Sequence, residues 1–118
     1  MMEKSPILGL IEQVTIMGDT SHHKLLARID TGATSSSIDK ELVEELGLGP
    51  GHRLTTVRSA TGTEKREIIK ISILLNGNVI EEEFSIADRA HMTYSVLIGQ
   101  NILKKGKFII DPLKRRKE

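Results

Sequence analysis

The apolar residues of this 118-residue chain fall in short runs of strand length, separated by polar turns of which several contain glycine. The runs are rich in isoleucine, leucine and valine, and the aromatic residues are only two phenylalanines and one tyrosine. Aliphatic and β-branched residues in runs of this length favour strands. We therefore predict a mainly β domain, a closed barrel or sandwich with one or two short helices.

The predicted strands follow the apolar runs. They are residues 6–16, 24–30, 54–60, 64–75, 79–87, 94–98 and 107–111. Asn76-Gly77 indicates a tight hairpin turn. Residues 37–48 carry apolar side chains at helical spacing, with Ser37 or Asp39 as a possible N-cap and Gly47 or Gly49 at the end. A second helical segment is predicted at residues 100–106.

Composition excludes several classes of protein. The chain has no cysteine, so disulfides and thiolate metal sites are excluded. No segment approaches the ~20 apolar residues of a membrane helix. The beginning of the sequence lacks a basic region followed by an apolar one. We expect one domain over residues 1–118 with a basic flexible tail at about 113–118, located in the cytoplasm and without a membrane partner.

Asp30 ends an apolar run and is followed by Thr31, Gly32 and Ala33. One interpretation is a strand-ending turn, in which Gly32 adopts a positive φ and Asp30 accepts nearby backbone N–H groups. The other is half of an active site. A carboxylate that directly follows an apolar strand is partly buried, and because burial of a charge costs free energy, a chemical role would explain its position. The small residues after Asp30 and a second apolar run, ending at Gly99 before a predicted helix, favour the active site.

The segments "ARIDTGATSSSI" and "SVLIGQNIL" together resemble the retropepsin-type aspartic protease pattern. In that pattern an Asp-Thr-Gly-Ala loop is braced by an apolar-apolar-Gly turn that precedes a helix. The segment "VRSATGTEKR" lies where these proteases carry a hairpin flap. The resemblance implies a retropepsin-like fold.

Three segments resemble one particular family within this protease class more closely. "VRSATG", "DRAHMTYSVLIG" and "FIIDP" more closely resemble a prokaryotic and archaeal retropepsin-like family often labelled ATP-dependent zinc protease. Members often occur near ATP-grasp ligases that add amino acids to proteins, so the resemblance suggests such a ligase as a partner. It covers residues 24–112.

The chemistry of this protease class requires two carboxylates. Two neighbouring carboxylates cannot both ionise without a large energetic cost, so they share one proton. The ionised carboxylate activates a water while the protonated one donates to the scissile carbonyl. The chain has one Asp-Thr-Gly motif, so Asp30 must meet the Asp30 of a second copy. The resemblance therefore implies a homodimeric aspartic endopeptidase acting on a peptide or protein.

The resemblance also implies roles for neighbouring residues. Thr31 would link the two aspartate loops, Gly32 would let the backbone approach the dyad, and Ala33 would line the cleft. Ile98 and Gly99 would form the turn that packs against the aspartate loop.

A flap at residues 59–63 would exclude water and grip the peptide backbone. The flap residues expected to contact substrate are Ser59, Ala60, Thr61 and Gly62. Arg58 and Arg66 flank this tip and are interpreted either as carboxylate-binding groups or as exposed hairpin charges.

Two positions depart from viral relatives, where an aspartate and an arginine form an ion pair. Here these positions hold Thr34 and Gln100, which we expect to act as a neutral hydrogen-bonded substitute. The chain also ends in "PLKRRKE" and not in an apolar strand, so the interdigitated terminal sheet of viral relatives is expected to be rearranged or missing.

The sequence predicts no metal or other cofactor. His22, His23, His52 and His91 include no HExxH motif, and we expect the first two in a solvated turn. Few aromatic residues are available to stack on bases, so no nucleic-acid partner is expected.

The alternative function is a catalytically silent retropepsin-like module that binds a peptide or partner in the same groove. The intact Asp-Thr-Gly motif favours the protease.

Overall fold

The structure, a computed structural model, describes residues 5–18, 21–59 and 62–115. Within these ranges the strands are β1 (Ile7–Leu8), β2 (Ile11–Met17), β3 (His22–Ile29), β4 (Ser36–Asp39), β5 (Arg53–Ser59), β6 (Gly62–Leu75), β7 (Asn78–Ala87), β8 (Val96–Ile98) and β9 (Ile109–Ile110). The helices there are α1 (Lys40–Leu46) and α2 (Gln100–Lys105). The predicted mainly β fold with two short helices is confirmed.

Six strands close into a barrel in the order β2-β3-β8-β4-β7-β6, and β6 pairs back onto β2. The closed β-barrel prediction is therefore confirmed. The 14 residues of β6 make this closure possible. Its last residues, from Ser72 to Leu75, pair with β2, whereas its first residues, from Gly62 to Ile68, pair with β5 in a projecting hairpin.

The barrel interior is filled by aliphatic side chains together with Phe84. Along β6 the side chains that belong to the core cluster are Ile69, Ile71, Ile73 and Leu75, the alternation expected of a strand with one face inward. Ile68 is also buried but lies outside this cluster. Burying a side chain of this size contributes roughly 1.5–3 kcal/mol. Neither helix in the described ranges is long and apolar enough to cross a membrane.

The first predicted strand is divided in two. The chain bends at Gly9 and Leu10, so residues 6–16 form β1 and most of β2 instead of one continuous strand. A Cβ on Gly9 would lie 3.0 Å from the Lys114 carbonyl oxygen, so glycine lets the C-terminal segment pack here. Apolar content alone does not reveal this bend.

The predicted helix at 37–48 begins later than expected. Residues 36–39 form β4, which pairs with β7 in parallel and with β8 antiparallel, and α1 starts at Lys40. Ser37 as an N-cap is therefore wrong. Asp39 occupies the N-cap position without a side-chain cap bond, because its carboxylate accepts the Arg89 N–H at 2.7 Å. Strand pairing in the barrel outweighs the helical spacing that begins at Ile38.

The Asn76-Gly77 turn is confirmed. Both residues have positive φ, 51° and 83°, as expected for a tight turn between antiparallel strands. The turn joins β6 to β7, which pair from Leu75 and Asn78 back to Ile68 and Ser85.

The two ends of the described chain meet in a small parallel sheet. β1 pairs with β9, placing Ile7 beside Ile109 and Leu8 beside Ile110. Lys114 then holds the segment after β9 in place, because its Nζ donates to Glu12 Oε2 at 2.7 Å and to the Ile7 carbonyl at 2.9 Å. The terminal strands therefore pair within one chain.

Replacing Lys114 by methionine is expected to lower the free energy of unfolding by about 2–3 kcal/mol, because the Glu12 carboxylate would lose its cationic partner while only 9% exposed. The Gly9 N–H, which donates to Glu12 Oε2 at 2.7 Å, would remain. Urea denaturation measures the change. The matched control is Lys105→Met, whose side chain is 54% exposed and lies 3.6 Å from Glu82, with an expected loss below about 1 kcal/mol. Equal losses for the two variants would contradict the argument.

Candidate active site

Asp30 lies at one end of the barrel, immediately after β3. The last residue of β3, Ile29, is paired in parallel with Ile98 of β8, and the Asp30 N–H donates to the Ile98 carbonyl at 2.9 Å. The Gly32 N–H donates to Asp30 Oδ1, also at 2.9 Å. The half-buried carboxylate is thus held where two neighbouring parallel strands end.

The loop after Asp30 is braced by the start of α2. The Gln100 N–H donates to the Ala33 carbonyl at 2.8 Å, and the Asn101 N–H donates to the Thr34 carbonyl at 3.3 Å. These bonds satisfy N–H groups that lack a partner within the helix. Gly99 makes the approach possible, because a Cβ there would collide with the Ser35 carbonyl oxygen.

The buried Ser36 hydroxyl connects the end of the aspartate loop to the Gly99 turn and α2. The Gly99 N–H donates to Ser36 Oγ at 2.9 Å, and this hydroxyl donates to Asn101 Oδ1 at 2.8 Å. Asn101 Nδ2 donates in turn to the Glu83 carbonyl on β7 at 2.9 Å. One network therefore ties the aspartate loop, the Gly99 turn, α2 and the barrel wall together.

Replacing Ser36 by alanine is expected to lower the free energy of unfolding by about 1–3 kcal/mol, because the Gly99 N–H and Asn101 Oδ1 would both lose their partner in a buried site. The adjacent Ser35 is exposed, so Ser35→Ala is the matched control and is expected to change stability by less than about 0.5 kcal/mol. Chemical denaturation of both variants provides the comparison. A stability of Ser36→Ala equal to that of the control would contradict this role for the hydroxyl.

Gln100 contributes a neutral hydrogen bond at the position where viral relatives carry arginine. Its Nε2 donates to the Thr31 carbonyl at 2.8 Å, within the aspartate loop. Thr34 is exposed, and its backbone carbonyl accepts the Asn101 N–H. Gln100 therefore holds the loop with its side chain, whereas Thr34 takes part through its main-chain carbonyl. The expectation that the two side chains replace the ion pair remains a prediction.

Gly32 does not adopt the positive φ that the interpretation of this segment as a strand-ending turn predicts. The described glycines with positive φ are Gly47, Gly62 and Gly77, so that interpretation of Gly32 is wrong. A Cβ on Gly32 would lie 3.4 Å from Asp30 Oδ1. The absence of a side chain keeps the space beside the carboxylate open.

The predicted flap corresponds to the hairpin of β5 and β6. Ser59 is paired with Gly62 at its end, and Gly62 has a φ of 129°. Ala60 and Thr61 lie outside the described residues. The substrate contacts expected of all four flap residues, Ser59 and Gly62 included, remain predictions. Thr31 is exposed and Ala33 is half-buried, and their roles toward a second copy and a substrate also remain predictions.

A groove of about 310 Å³ lies between this hairpin and the loop that follows β7. Its described lining residues are Gly62, Thr63, Glu64, Arg66, Ala87, Asp88, Arg89, His91 and Met92. Within the hairpin, Arg66 Nε donates to Glu64 Oε1 at 2.6 Å. Among the residues the structure describes, Asp30 is not part of this lining. The described part of the groove is therefore formed by the hairpin and by the loop after β7.

Arg89 connects the groove to β4, and the sequence analysis assigned it no role. Its Nε donates to the Tyr94 carbonyl at 3.0 Å and one terminal nitrogen donates to Ser37 Oγ at 3.3 Å. Burial lowers the pKa of Arg89 from its usual value, and the nearby Asp39 carboxylate opposes this shift. The Arg66 and Arg28 guanidinium groups also lower the pKa of Arg89, and the Asp30 carboxylate weakly opposes the shift.

The described histidine and acidic side chains do not form a zinc site. His22 and His23 begin β3, where they are exposed and, as neighbours in a strand, point to opposite faces. The expectation that they lie in a turn is wrong. Across residues 5–18, 21–59 and 62–115, no three histidine, aspartate or glutamate side chains come together as a metal ion would require.

Comparison with known proteins identifies the family. Residues 49–118, more than half of the chain, match the model of the RimB-like family, described as retropepsin-like aspartic endopeptidase RimB. The matched residues include the Gly99 turn and begin after Asp30. The curated proteins contain no match to this chain.

A solved structure shows a similar fold. The protein Lpg0085 from Legionella pneumophila, titled as a protein with unknown function (DUF785), matches with a TM-score of 0.65 and 21% identity. The match covers 92% of this chain and 95% of that chain. At this identity the likeness shows the fold alone, whereas the family match extends over the flap hairpin, the groove loop and the Gly99 turn. The chain belongs to the RimB-like family of retropepsin-like aspartic endopeptidases.

Proposed function

We propose that this protein is a homodimeric aspartic endopeptidase in which Asp30 and the Asp30 of a second copy form the catalytic dyad. The observation that carries the proposal is the fixed position of the Asp30 carboxylate. It lies at the barrel end, is bonded by the Gly32 N–H, and belongs to a loop braced by α2 through the Gly99 turn. Membership of the RimB-like family supports the same reaction.

The two carboxylates hold one proton before and after each cleavage. The ionised carboxylate removes a proton from water as the water oxygen attacks the scissile carbonyl carbon, and the protonated carboxylate gives its proton to the carbonyl oxygen. When the tetrahedral diol collapses, the C–N bond breaks. The amine leaves with the proton taken from water, and a diol hydroxyl returns a proton to the other carboxylate. The dyad thus regains its single shared proton.

The groove supports an elongated substrate. In this proposal a peptide lies beside Asp30 beneath the β5–β6 hairpin, with the loop of Arg89 as one wall. Closing the hairpin would remove water from around the dyad, which strengthens the electrostatic interactions there. The polar lining offers hydrogen-bond partners to peptide carbonyl and amide groups.

A mixing experiment tests the shared dyad. Wild type is first incubated with a complex peptide mixture from acidic to neutral pH, and new termini are identified by mass spectrometry. Asp30→Asn protein is then added to a fixed amount of wild type and the subunits are allowed to exchange. With a threefold excess of the variant, activity should fall to about a quarter, because only that fraction of wild-type chains retains a wild-type partner.

The control addition is Glu45→Gln, a carboxylate-to-amide change on an exposed residue of α1, which should raise total activity instead. Cleavage that depends on Asp30 but resists excess variant would contradict a dyad shared between copies. Peptide binding without Asp30-dependent cleavage at any pH would favour the alternative, a silent peptide-binding module.

A further inference from the structure

Asn76 holds the first described residues of the chain against the β6–β7 turn. Its Nδ2 donates to the Ser5 carbonyl at 3.1 Å and to the Ile7 carbonyl at 2.9 Å, and its own carbonyl accepts the Ser5 N–H at 3.1 Å. We call these three hydrogen bonds the Asn76 clasp. Asn78 Nδ2 adds a longer bond to the Ser5 carbonyl, at 3.3 Å. The turn therefore also positions the segment that leads into β1.

The clasp supports a strand that has few hydrogen bonds of its own. β1 is only two residues long and pairs with β9, where the Ile109 N–H donates to the Pro6 carbonyl at 2.8 Å. The Leu8 side chain at the end of β1 is completely buried in the core. Because so short a strand is marginal by itself, the contacts of Asn76 are a large part of what keeps residues 5–7 in place.

The asparagine of the clasp is also the most reactive one in the chain. The side-chain amide of asparagine can be attacked by the main-chain nitrogen of the next residue, and glycine hinders this attack least because it has no Cβ. Asn76-Gly77 is the one Asn-Gly pair in the sequence. The other asparagines, Asn78 and Asn101, are each followed by a β-branched residue, which crowds the reacting atoms.

The reaction is a deamidation that consumes only water. The Gly77 nitrogen bonds to Asn76 Cγ, the bond between Cγ and Nδ2 breaks, and Nδ2 leaves as ammonia with the proton that the Gly77 nitrogen gives up. Water then opens the resulting five-membered imide at one of its two C–N bonds. The product is aspartate or isoaspartate, and the freed main-chain nitrogen regains a proton from the water.

The clasp opposes this reaction. The atom that leaves, Nδ2, is the atom that donates to both the Ser5 and the Ile7 carbonyl. Ammonia cannot be released until these two bonds are broken. Deamidation of Asn76 therefore requires that residues 5–7 first move away from the turn.

Both products remove the donor of the clasp. A carboxylate cannot donate, so at position 76 it would place negative charge against the Ser5 and Ile7 carbonyl oxygens. Lys114 also donates to the Ile7 carbonyl, but its ammonium is paired with Glu12, which is 9% exposed. Drawing Lys114 away would leave that carboxylate without a cation in a buried site.

Isoaspartate has a further effect on the turn. It adds one methylene group to the main chain between two residues whose φ values, 51° and 83°, are those of a tight turn. The lengthened chain would no longer match the pairing of Leu75 with Asn78.

We propose that Asn76 is a deamidation site of the folded protein, that the clasp gates the reaction, and that the product releases residues 5–7 from the turn. Opening of this segment permits the reaction, and the charge that results keeps the segment from closing again. A reversible opening thereby becomes permanent. The inference is independent of the proposed function, because none of the clasp residues belongs to the candidate active site.

Incubation of the full chain in ¹⁸O-labelled water at mildly alkaline pH tests the site and its gate. Mass spectrometry of tryptic peptides should show label at position 76, with Asn78 and Asn101 unchanged in the same sample. The rate should be roughly 10- to 100-fold below that of a synthetic peptide of residues 71–89, because two hydrogen bonds must break first. Equal rates in chain and peptide, or conversion of Asn76 no faster than that of Asn78, would overturn the proposal.

Two substitutions in β1 separate the clasp from the geometry of the turn. Leu8→Ala removes a buried side chain and should loosen β1, so deamidation of Asn76 should accelerate at least about tenfold. Ile7→Ala is the matched control, because Ile7 is 41% exposed, and its rate should stay within about twofold of wild type. Urea midpoints establish that both variants are folded during the incubation. Equal rates for the two folded variants would contradict gating by the clasp.

Asn76→Asp produces one of the two products directly and tests the release. Hydrogen exchange of the Ile109 N–H, which donates to the Pro6 carbonyl, should be at least about tenfold faster than in wild type, because the clasp no longer supports β1. The matched control is Gln13→Glu, the same amide-to-carboxylate change on an exposed residue of β2, with exchange expected to equal that of wild type. Exchange in Asn76→Asp no faster than in this control would overturn the release of residues 5–7.

Discussion

Replacing Asp30 by asparagine is expected to reduce kcat/KM for peptide cleavage at least about 1,000-fold, since positioned general acid–base groups typically contribute roughly 10²–10⁴-fold and both dyad members are lost at once. The fold should be retained, because an asparagine oxygen can still accept the Gly32 N–H that lies 2.9 Å from Asp30 Oδ1. A fluorogenic peptide built on a mapped cleavage site gives the rate constants. The urea midpoint of the same preparation reports the folded fraction.

Glu45→Gln is the matched control for Asp30→Asn, because it makes the same carboxylate-to-amide change on the exposed face of α1. Its kcat/KM should equal that of wild type. Residual cleavage by Asp30→Asn within tenfold of wild type, with both proteins folded, would exclude Asp30 as the acid–base group.

Replacing Gly99 by alanine is expected to lower the free energy of unfolding by about 3 kcal/mol or more, the upper range for overpacked sites. The added Cβ would collide with the Ser35 carbonyl oxygen and lie 2.9 Å from the Ala33 carbonyl oxygen, and both are main-chain atoms of the aspartate loop. The loop could relieve the contact only by moving away from α2 and breaking its hydrogen bonds to that helix. Urea denaturation measures the stability loss, and cleavage activity should fall with it.

Gly32→Ala is the comparison for Gly99→Ala. A Cβ on Gly32 would meet only Asp30 Oδ1, at 3.4 Å, so stability should change by less than about 1 kcal/mol. Its effect should instead appear in catalysis, because the methyl group would occupy space beside the carboxylate. If Gly99→Ala were as stable as Gly32→Ala, the close packing of the Gly99 turn would not be needed to hold the aspartate loop.

Much of the fold could be predicted from local patterns. The Asn76-Gly77 turn and the flanking apolar runs indicated the β6–β7 hairpin, because a tight turn needs the positive φ that these two residues adopt. The start of the first helix was less accessible. Ile38 continues the helical spacing of α1, but its backbone pairs with β7 and β8, and such long-range pairing leaves no local pattern.

Some residues of the candidate site could likewise be predicted from the sequence, and others could not. Asp30 and Gly99 could be singled out because small residues follow the carboxylate, a second apolar run ends in glycine before a helix, and the two segments together resemble the retropepsin pattern. Ser36, Asn101 and Arg89 could not, since serine, asparagine and arginine occur in many surface loops. Their positions depend on contacts between residues far apart in the chain, such as Ser36 with Asn101 at 2.8 Å.

The sequence by itself determined the β class, the hairpin turn and the single carboxylate loop, because each depends on neighbouring residues whose backbone preferences and polarity act locally. Only the tertiary structure decided how β6 closes the barrel, that β4 is a strand, that Arg89 bonds to Ser37 of β4, and that β1 pairs with β9 of its own chain. These features arise where distant segments compete for the same core and the same hydrogen-bonding edges.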